Sequence, residues 1–128
     1  MNKKILIVDD EKIIIHLTTI VLKKRGCEIV SCANAEEALS LVEKERPDLI
    51  ILDHLLPGKN GLELCQEVKL NPQTSLIPVL ITTGQKLNLE DQILEQKLLK
   101  PDRILSKPFE IDELLKIVEE LLPIKRLA

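Results

Sequence analysis

A doubly wound α/β domain, with one parallel sheet covered by helices on both faces, is predicted by two features of the sequence. Short β-rich apolar runs alternate with segments of helical period, and this β-α alternation repeats five times. Three of the runs also end in charge: Ile5-Leu6-Ile7-Val8 before Asp9-Asp10, Leu49-Ile50-Ile51-Leu52 before Asp53, and Ile104-Leu105-Ser106 before Lys107. A fourth, Val79-Leu80-Ile81, ends in Thr82-Thr83-Gly84. The carboxyl ends of parallel strands form the crevice in which open α/β sheets place ligands, so the chemistry is expected there. With 128 residues the chain can bury one core and is too short for two ordinary domains. The expected unit is 1–128, with no linker, repeat, low-complexity tract or output domain.

The helices follow in order. The first runs from about Lys12 to Arg25 and stops at Gly26, a typical helix-ending residue, with Ile14, Leu17 and Val21 expected inward. The second has Asn34 as N-cap and Glu37 three residues on, then Ala35, Ala38, Leu39 and Val42 at core-facing spacing, and ends at Pro47. A turn-rich loop, Leu55-Leu56-Pro57-Gly58-Lys59-Asn60-Gly61, opens the third, which turns Leu62, Cys65 and Val68 to one side and closes at Asn71-Pro72. The fourth is expected to begin at Asn88, with Glu90 and Asp91 near its positive end and Leu89, Ile93 and Leu98 as its stripe, and to finish before Pro101. The fifth spans about Ile111 to Leu122, with Ile111, Leu114, Leu115, Val118 and Leu121 inward, and stops at Pro123 before a frayed tail at 124–128.

Composition excludes several classes of function. Net charge is −3 with both signs mixed, and the only basic cluster near the carboxyl end is Lys125-Arg126, which argues against direct nucleic-acid binding. Phe109 is the sole aromatic residue, so base-stacking platforms and aromatic cages are excluded and the core must be aliphatic. No apolar stretch approaches the ~18 residues of a membrane span. Cys27, Cys32 and Cys65 lack metal-finger spacing, and no secretory leader precedes the first run, so reduced thiols and a cytoplasmic location are expected. Small buried fillers are a better reading of these cysteines than redox sensors.

The crevice itself would hold three carboxylates, a hydroxyl and an ammonium. Each carboxylate pair repels by roughly 4 kcal/mol at 4 Å and an effective dielectric of 20, so a cation must compensate. Mg²⁺ suits an oxygen-rich site with few protein ligands that leaves positions for water and phosphate. Phosphoryl transfer asks for an in-line nucleophile and positive charge on the equatorial oxygens, and Asp53 could be that nucleophile. Taken singly, an acidic pair after a strand is usually a solvated cap and a lone lysine a surface residue. Their coincidence at three strand ends is what carries the reading.

From Lys4 to Leu122 the chain resembles the receiver domain of two-component response regulators, the chemotaxis-regulator type of the flavodoxin-like fold. The residues that carry the resemblance are Ile-Val-Asp-Asp-Glu at 7–11, Asp53 with Pro57 and Gly61 after it, Pro78 leading to Thr83-Gly84, and Lys107-Pro108-Phe109. It implies a (βα)5 sheet of order 2-1-3-4-5, and an acyl phosphate formed on Asp53 from a sensor histidine kinase or phosphotransfer protein. It further implies Mg²⁺ bound by Asp10 directly, by Asp9 largely through water, by Asp53 and by the Leu55 backbone carbonyl. Thr83 and Lys107 would each meet a phosphoryl oxygen, and the Lys107-Pro108 bond would be cis. Thr82 competes for the hydroxyl role, since neighbours on a strand face opposite ways; the position five residues after Pro78 and before Gly84 favours Thr83. Such a chain catalyses its own phosphorylation and dephosphorylation as a signalling protein rather than as an enzyme. A downstream protein and a monomer or phosphorylation-dependent homodimer complete the implied partners.

The sequence departs from the family in places. Ile104 stands where Tyr or Phe is common, so a switch by ring rotation cannot operate. Leu99-Lys100-Pro101-Asp102 stands where Gly-Ala is frequent, and the stretch from Thr83 to Lys107 is slightly long. Leu55 and Gln85 occupy positions that in the family modulate attack by water, and an apolar Leu55 implies a persistent phosphoryl group. A receiver-fold binding or scaffold module with weak or no phosphorylation-dependent switching is therefore the alternative. A flavodoxin or phosphohydrolase fits poorly, because the first β-α turn is acidic and Asp53-His54-Leu55 lacks a second carboxylate. His54 is expected to point away from Asp53 in a structural or solvent-facing role, and His16 to lie on the surface. Ile117, off the main stripe of the fifth helix, is read as core margin, with a partner contact as the alternative.

Overall fold

The structure is a computed structural model and describes residues 2–122. Its elements run β1 (Lys4–Val8), α1 (Lys12–Lys24), β2 (Glu28–Cys32), α2 (Ala35–Glu45), β3 (Leu49–Asp53), α3 (Gly61–Leu70), β4 (Val79–Thr83), α4 (Lys86–Gln96), β5 (Arg103–Ser106) and α5 (Ile111–Leu121). The strands are all parallel, in the order β2-β1-β3-β4-β5. Side chains alternate across the sheet. Leu6, Val8, Ile50, Leu52, Val79 and Ile81 meet α2, α3 and α4 on one face, while Ile5, Ile7, Leu49, Ile51, Leu80 and Leu105 meet α1 and α5 on the other. Both faces being covered, the central strands are continuous apolar runs and β3 is buried along its whole length.

The end signals read from the sequence act as expected for α2, where the Asn34 side chain accepts from the Glu37 N–H at 2.8 Å. At the other end of α1, Gly26 follows the helix with φ +83°, a conformation that glycine adopts without strain. The buried face of α1 differs from expectation. Thr18 and Leu22 are buried and Ile15 and Val21 partly so, whereas Leu17 is 52% exposed. Aliphatic residues occupy nearly every side of this helix, from Ile13 to Leu22, so periodicity had no polar face with which to fix its rotation.

Helix α4 starts two residues earlier than expected, at Lys86, with Gln85 at its N-cap. Glu90 and Asp91 therefore lie beyond the first turn, which has no acidic residue. Asn88 misled because it is a good cap residue, yet here its side chain only reaches back to Gln85. Leu89 and Ile93 are buried as expected, and Leu98 packs on the same core from beyond the helix end. On α5, Ile117 is 6% exposed and part of the core, which removes the partner-contact alternative. Ile111 and Leu121 pack at its edge. The expected stop at Pro123, the tail at 124–128 and the basic pair Lys125-Arg126 lie outside the described residues.

Cys27, Cys32 and Cys65 are buried and unpaired, and burial pushes the thiols of Cys32 and Cys65 up to about 11, which suppresses thiolate chemistry and fits the filler reading. Among the described residues no helix is long and apolar enough to cross a membrane. The unusual α4–β5 connection is fixed to α3. The Gln66 amide accepts from the Leu99 N–H at 2.9 Å and donates to its carbonyl at 2.8 Å. Lys69 donates to the Ile77 carbonyl and to Asp102 Oδ2, both at 2.8 Å, and the same Asp102 oxygen accepts from the Val79 N–H.

Candidate functional site

The acidic residues of the crevice are placed by backbone that remains tied to the sheet. Past the end of β1, the Asp9 N–H donates to the Cys32 carbonyl at 3.1 Å, and Asp9 Oδ1 accepts from the Glu11 N–H at 2.9 Å. Asp53 closes β3, and the next N–H, that of His54, donates to the Thr82 carbonyl at 2.9 Å. The loop then turns through Gly58, at φ +88°, and its end folds back so that the Gly61 N–H donates to the His54 carbonyl at 2.8 Å. Asn60 and Glu63 form a reciprocal capping box that starts α3 at this point. Gly61 is sterically required: a Cβ there would lie 2.9 Å from His54 Cα and 3.1 Å from the Asp53 carbonyl oxygen.

Across this edge the charges converge. Asp9, Asp10 and Asp53 each offer a carboxylate oxygen, and the three atoms lie within 4.8 Å of one another. Lys107 Nζ stands 3.4 Å from Asp53 Oδ1, 3.5 Å from Asp9 Oδ2 and 2.8 Å from Glu11 Oε1. The Lys107-Pro108 bond is cis, and the Lys107 N–H donates to the Thr83 carbonyl at 2.8 Å. Asp9 and Asp53 are buried, whereas Asp10 and Glu11 face solvent.

Burial first, and then the charge of Asp9, push the Asp53 carboxyl up to about 6, against the pull of Lys107 and of the Leu55 N–H. Asp9 is raised as well, again by burial, although the Glu11 N–H and Lys107 oppose it. For Lys107, burial disfavours the charge but is outweighed by the Glu11 hydrogen bond and by Asp9 and Asp53, which hold the ammonium above its usual range. One lysine thus leaves the carboxylates short of positive charge. The donor set consists entirely of hard oxygens, which fits Mg²⁺, and a cation there would relieve the strain recorded in Asp53.

Other expected site residues stand differently. By strand register Thr82 lies level with Asp53, and alternation gives the two the same face, whereas Thr83 takes the other. The Thr83 hydroxyl accepts from the Gln85 N–H at 3.0 Å, and among the described residues no hydrogen bond links its side chain to Asp53 or Lys107. Leu55 presents its N–H to Asp53 while its side chain is exposed. His54 is 4% exposed, its Nδ1 has no partner, and burial lowers its pKa, which leaves the structural reading and removes the solvent-facing one. Glu11 went without a role in the sequence, although a third acidic residue after the pair, facing a single distant lysine, was the signal available.

The family model for the response regulator receiver domain matches residues 5–119. Sporulation initiation phosphotransferase F of Bacillus subtilis (strain 168) is 38% identical over 125 residues, covering 98% of both chains. The alkaline phosphatase synthesis transcriptional regulatory protein PhoP of the same organism is 38% identical over 109 residues, 85% of this chain, which spans 44% of that relative's length. Among solved structures, the chemotaxis response regulator CheY4 of Vibrio cholerae superposes with a TM-score of 0.84 at 30% identity, over 95% of this chain and all of that one. With the sheet order, the acidic edge and these relatives in agreement, the chain belongs to the receiver domain family of two-component response regulators.

Proposed function

We propose that the chain is a phosphoacceptor switch, in which Asp53 takes a phosphoryl group from a phosphohistidine of a sensor kinase or phosphotransfer protein. The observation that carries this is the meeting of Asp53 with two further carboxylates and the Lys107 ammonium at one sheet edge. Asp53 Oδ forms the new P–O bond as the donor's P–N bond breaks, and the imidazole leaves with the bonding pair. Lys107, 3.4 Å from Asp53, takes one phosphoryl oxygen. Thr83 donates its hydroxyl proton to another as its side chain turns toward Asp53, while its oxygen accepts from the Gln85 N–H. Asp9, Asp10, Asp53 and the Leu55 carbonyl would hold Mg²⁺, which when bound supplies positive charge to the transferring oxygens. Beside this edge the donor protein meets a groove lined by Leu17, Pro108, Phe109 and Ile111.

Incubation with Mg²⁺ and a small phosphodonor tests the reading by intact mass. One phosphoryl addition is expected, lost in Asp53→Asn and in metal-free buffer; no addition, or one that survives Asp53→Asn, refutes it. The second reading, a scaffold with weak switching, is favoured by Ile104, which packs against the core where a rotating ring is usual. Equal partner binding by phosphorylated and unmodified protein would select it.

A further inference from the structure

Glu11 takes no part in the set of three carboxylates, yet it is the anion nearest to the Lys107 ammonium, at 2.8 Å against 3.4 Å for Asp53 and 3.5 Å for Asp9. Its backbone is fixed. It is the N-cap residue of α1, its N–H donates to Asp9 Oδ1 and its carbonyl accepts from the Ile15 N–H at 3.2 Å. Its side chain caps nothing and is 56% exposed, while that of Lys107 is 16% exposed. The contact therefore lies at the rim, over a buried pair.

An ammonium has three N–H donors, and three carboxylates surround this one. A phosphoryl group on Asp53 brings new oxygens that need the same donors. Asp9 and Asp53 are held by the sheet and cannot withdraw, whereas Glu11 can swing into water. We propose that Glu11 is a positioning residue that acts through Lys107. It competes with the phosphoryl oxygen for the ammonium, holds it at the rim in the unmodified protein, and so lowers the affinity of the site for the phosphoryl group. The inference rests on the reading of Asp53 as phosphoacceptor. Because half-exposed ion pairs are weak, the expected effect is about two- to fivefold in affinity.

The test measures fluoroberyllate binding by calorimetry at saturating Mg²⁺ for the wild type, Glu11→Gln and Asp53→Asn. Gln is isosteric and the side chain is at the surface, so the fold is retained. Glu11→Gln is expected to bind about two- to fivefold more tightly at low salt, with the advantage shrinking at ~1 M salt, where rim charges are screened. In metal-free protein without the mimic, NMR should show the Lys107 ammonium protons exchanging with water faster in Glu11→Gln than in the wild type. A merely structural Glu11 would move neither the salt dependence nor this exchange. Equal or weaker fluoroberyllate binding by Glu11→Gln, a salt-independent difference, or unchanged lysine exchange overturns the role of Glu11 alone. No binding by the wild type, or equal binding by Asp53→Asn, overturns the phosphoacceptor reading and this inference with it.

Discussion

Replacing Asp53 with Asn in metal-free protein should stabilise the fold at neutral pH, even though it removes the proposed phosphoacceptor. The carboxyl, ordinarily at 3.8, is pushed up to about 6 by burial and by Asp9, with Lys107 only partly offsetting them. The folded chain thus holds this proton more tightly than the unfolded chain does. That stabilising contribution is fully present below about pH 4 and is lost as pH rises through about 6. At ~1.4 kcal/mol per tenfold change in proton affinity, ionised Asp53 costs the folded state up to ~3 kcal/mol at pH 7. Asn keeps the shape without the charge, and after its own desolvation a gain of ~1–2 kcal/mol remains, or ~4–7 °C in Tm for a domain of this size. Thermal unfolding followed by circular dichroism with a chelator, at pH 7 and pH 4.5, measures it. The gain should shrink at pH 4.5, and Mg²⁺ should raise the Tm of the wild type more than that of the variant. A variant no more stable than the wild type at pH 7, or equally favoured at both pH values, would show that the carboxylates are not in conflict.

Three further outcomes follow from particular contacts. Gly61→Ala should cost about 1–3 kcal/mol in denaturant unfolding, because its methyl group meets His54 Cα and the Asp53 carbonyl, which are backbone and cannot yield without moving the loop. Gln66→Ala should lose ~1 kcal/mol and speed amide exchange at Leu99, whose N–H and carbonyl it holds. Leu55→Asn should shorten the life of the phosphoryl group several-fold, followed as loss of the added mass, since the exposed Leu55 side chain offers water no hydrogen bond and an amide does.

The sheet and the charged edge were legible because they rest on strong, local signals. Aliphatic runs that alternate with helical segments and end in Asp9, Asp53 and Lys107 read as parallel strands, two of them buried on both faces, and that geometry brings their ends together. Helix faces were harder. On α1 the apolar residues surround the axis, and tertiary packing chose Thr18 and Leu22 over Leu17. The start of α4 was misplaced because cap propensity is weaker than the geometry of the loop that leaves β4. Glu11 was missed as a partner of Lys107 because its one signal, a third acid after the pair, names no partner, and nothing local encodes a contact across 96 residues. The Gln66 and Lys69 clamps on the α4–β5 connection were hidden for the same reason.

Those clamps bear on where a change at Asp53 can travel. In the proposed function the crevice end of the path is the Thr83 hydroxyl, which accepts from the Gln85 N–H just before α4. A phosphoryl oxygen that accepts the proton of this hydroxyl draws Thr83 toward Asp53 and, through the Gln85 N–H, strains the N-terminus of α4. The far end is fixed, since Leu99 is bonded to Gln66 and Asp102 to Lys69. Ile104 is partly buried against the core beneath α4, and turning it outward would forfeit part of the ~1.5–3 kcal/mol that burying such a side chain provides. Motion is therefore cheapest in residues 84–98, between the end that Thr83 draws on and the clamp. Amide exchange with and without fluoroberyllate should change within that segment while Leu99 and Asp102 keep their protection. Exchange that instead changes across Leu99 to Ser106 would mean that the α3 clamp opens and that Ile104 moves after all.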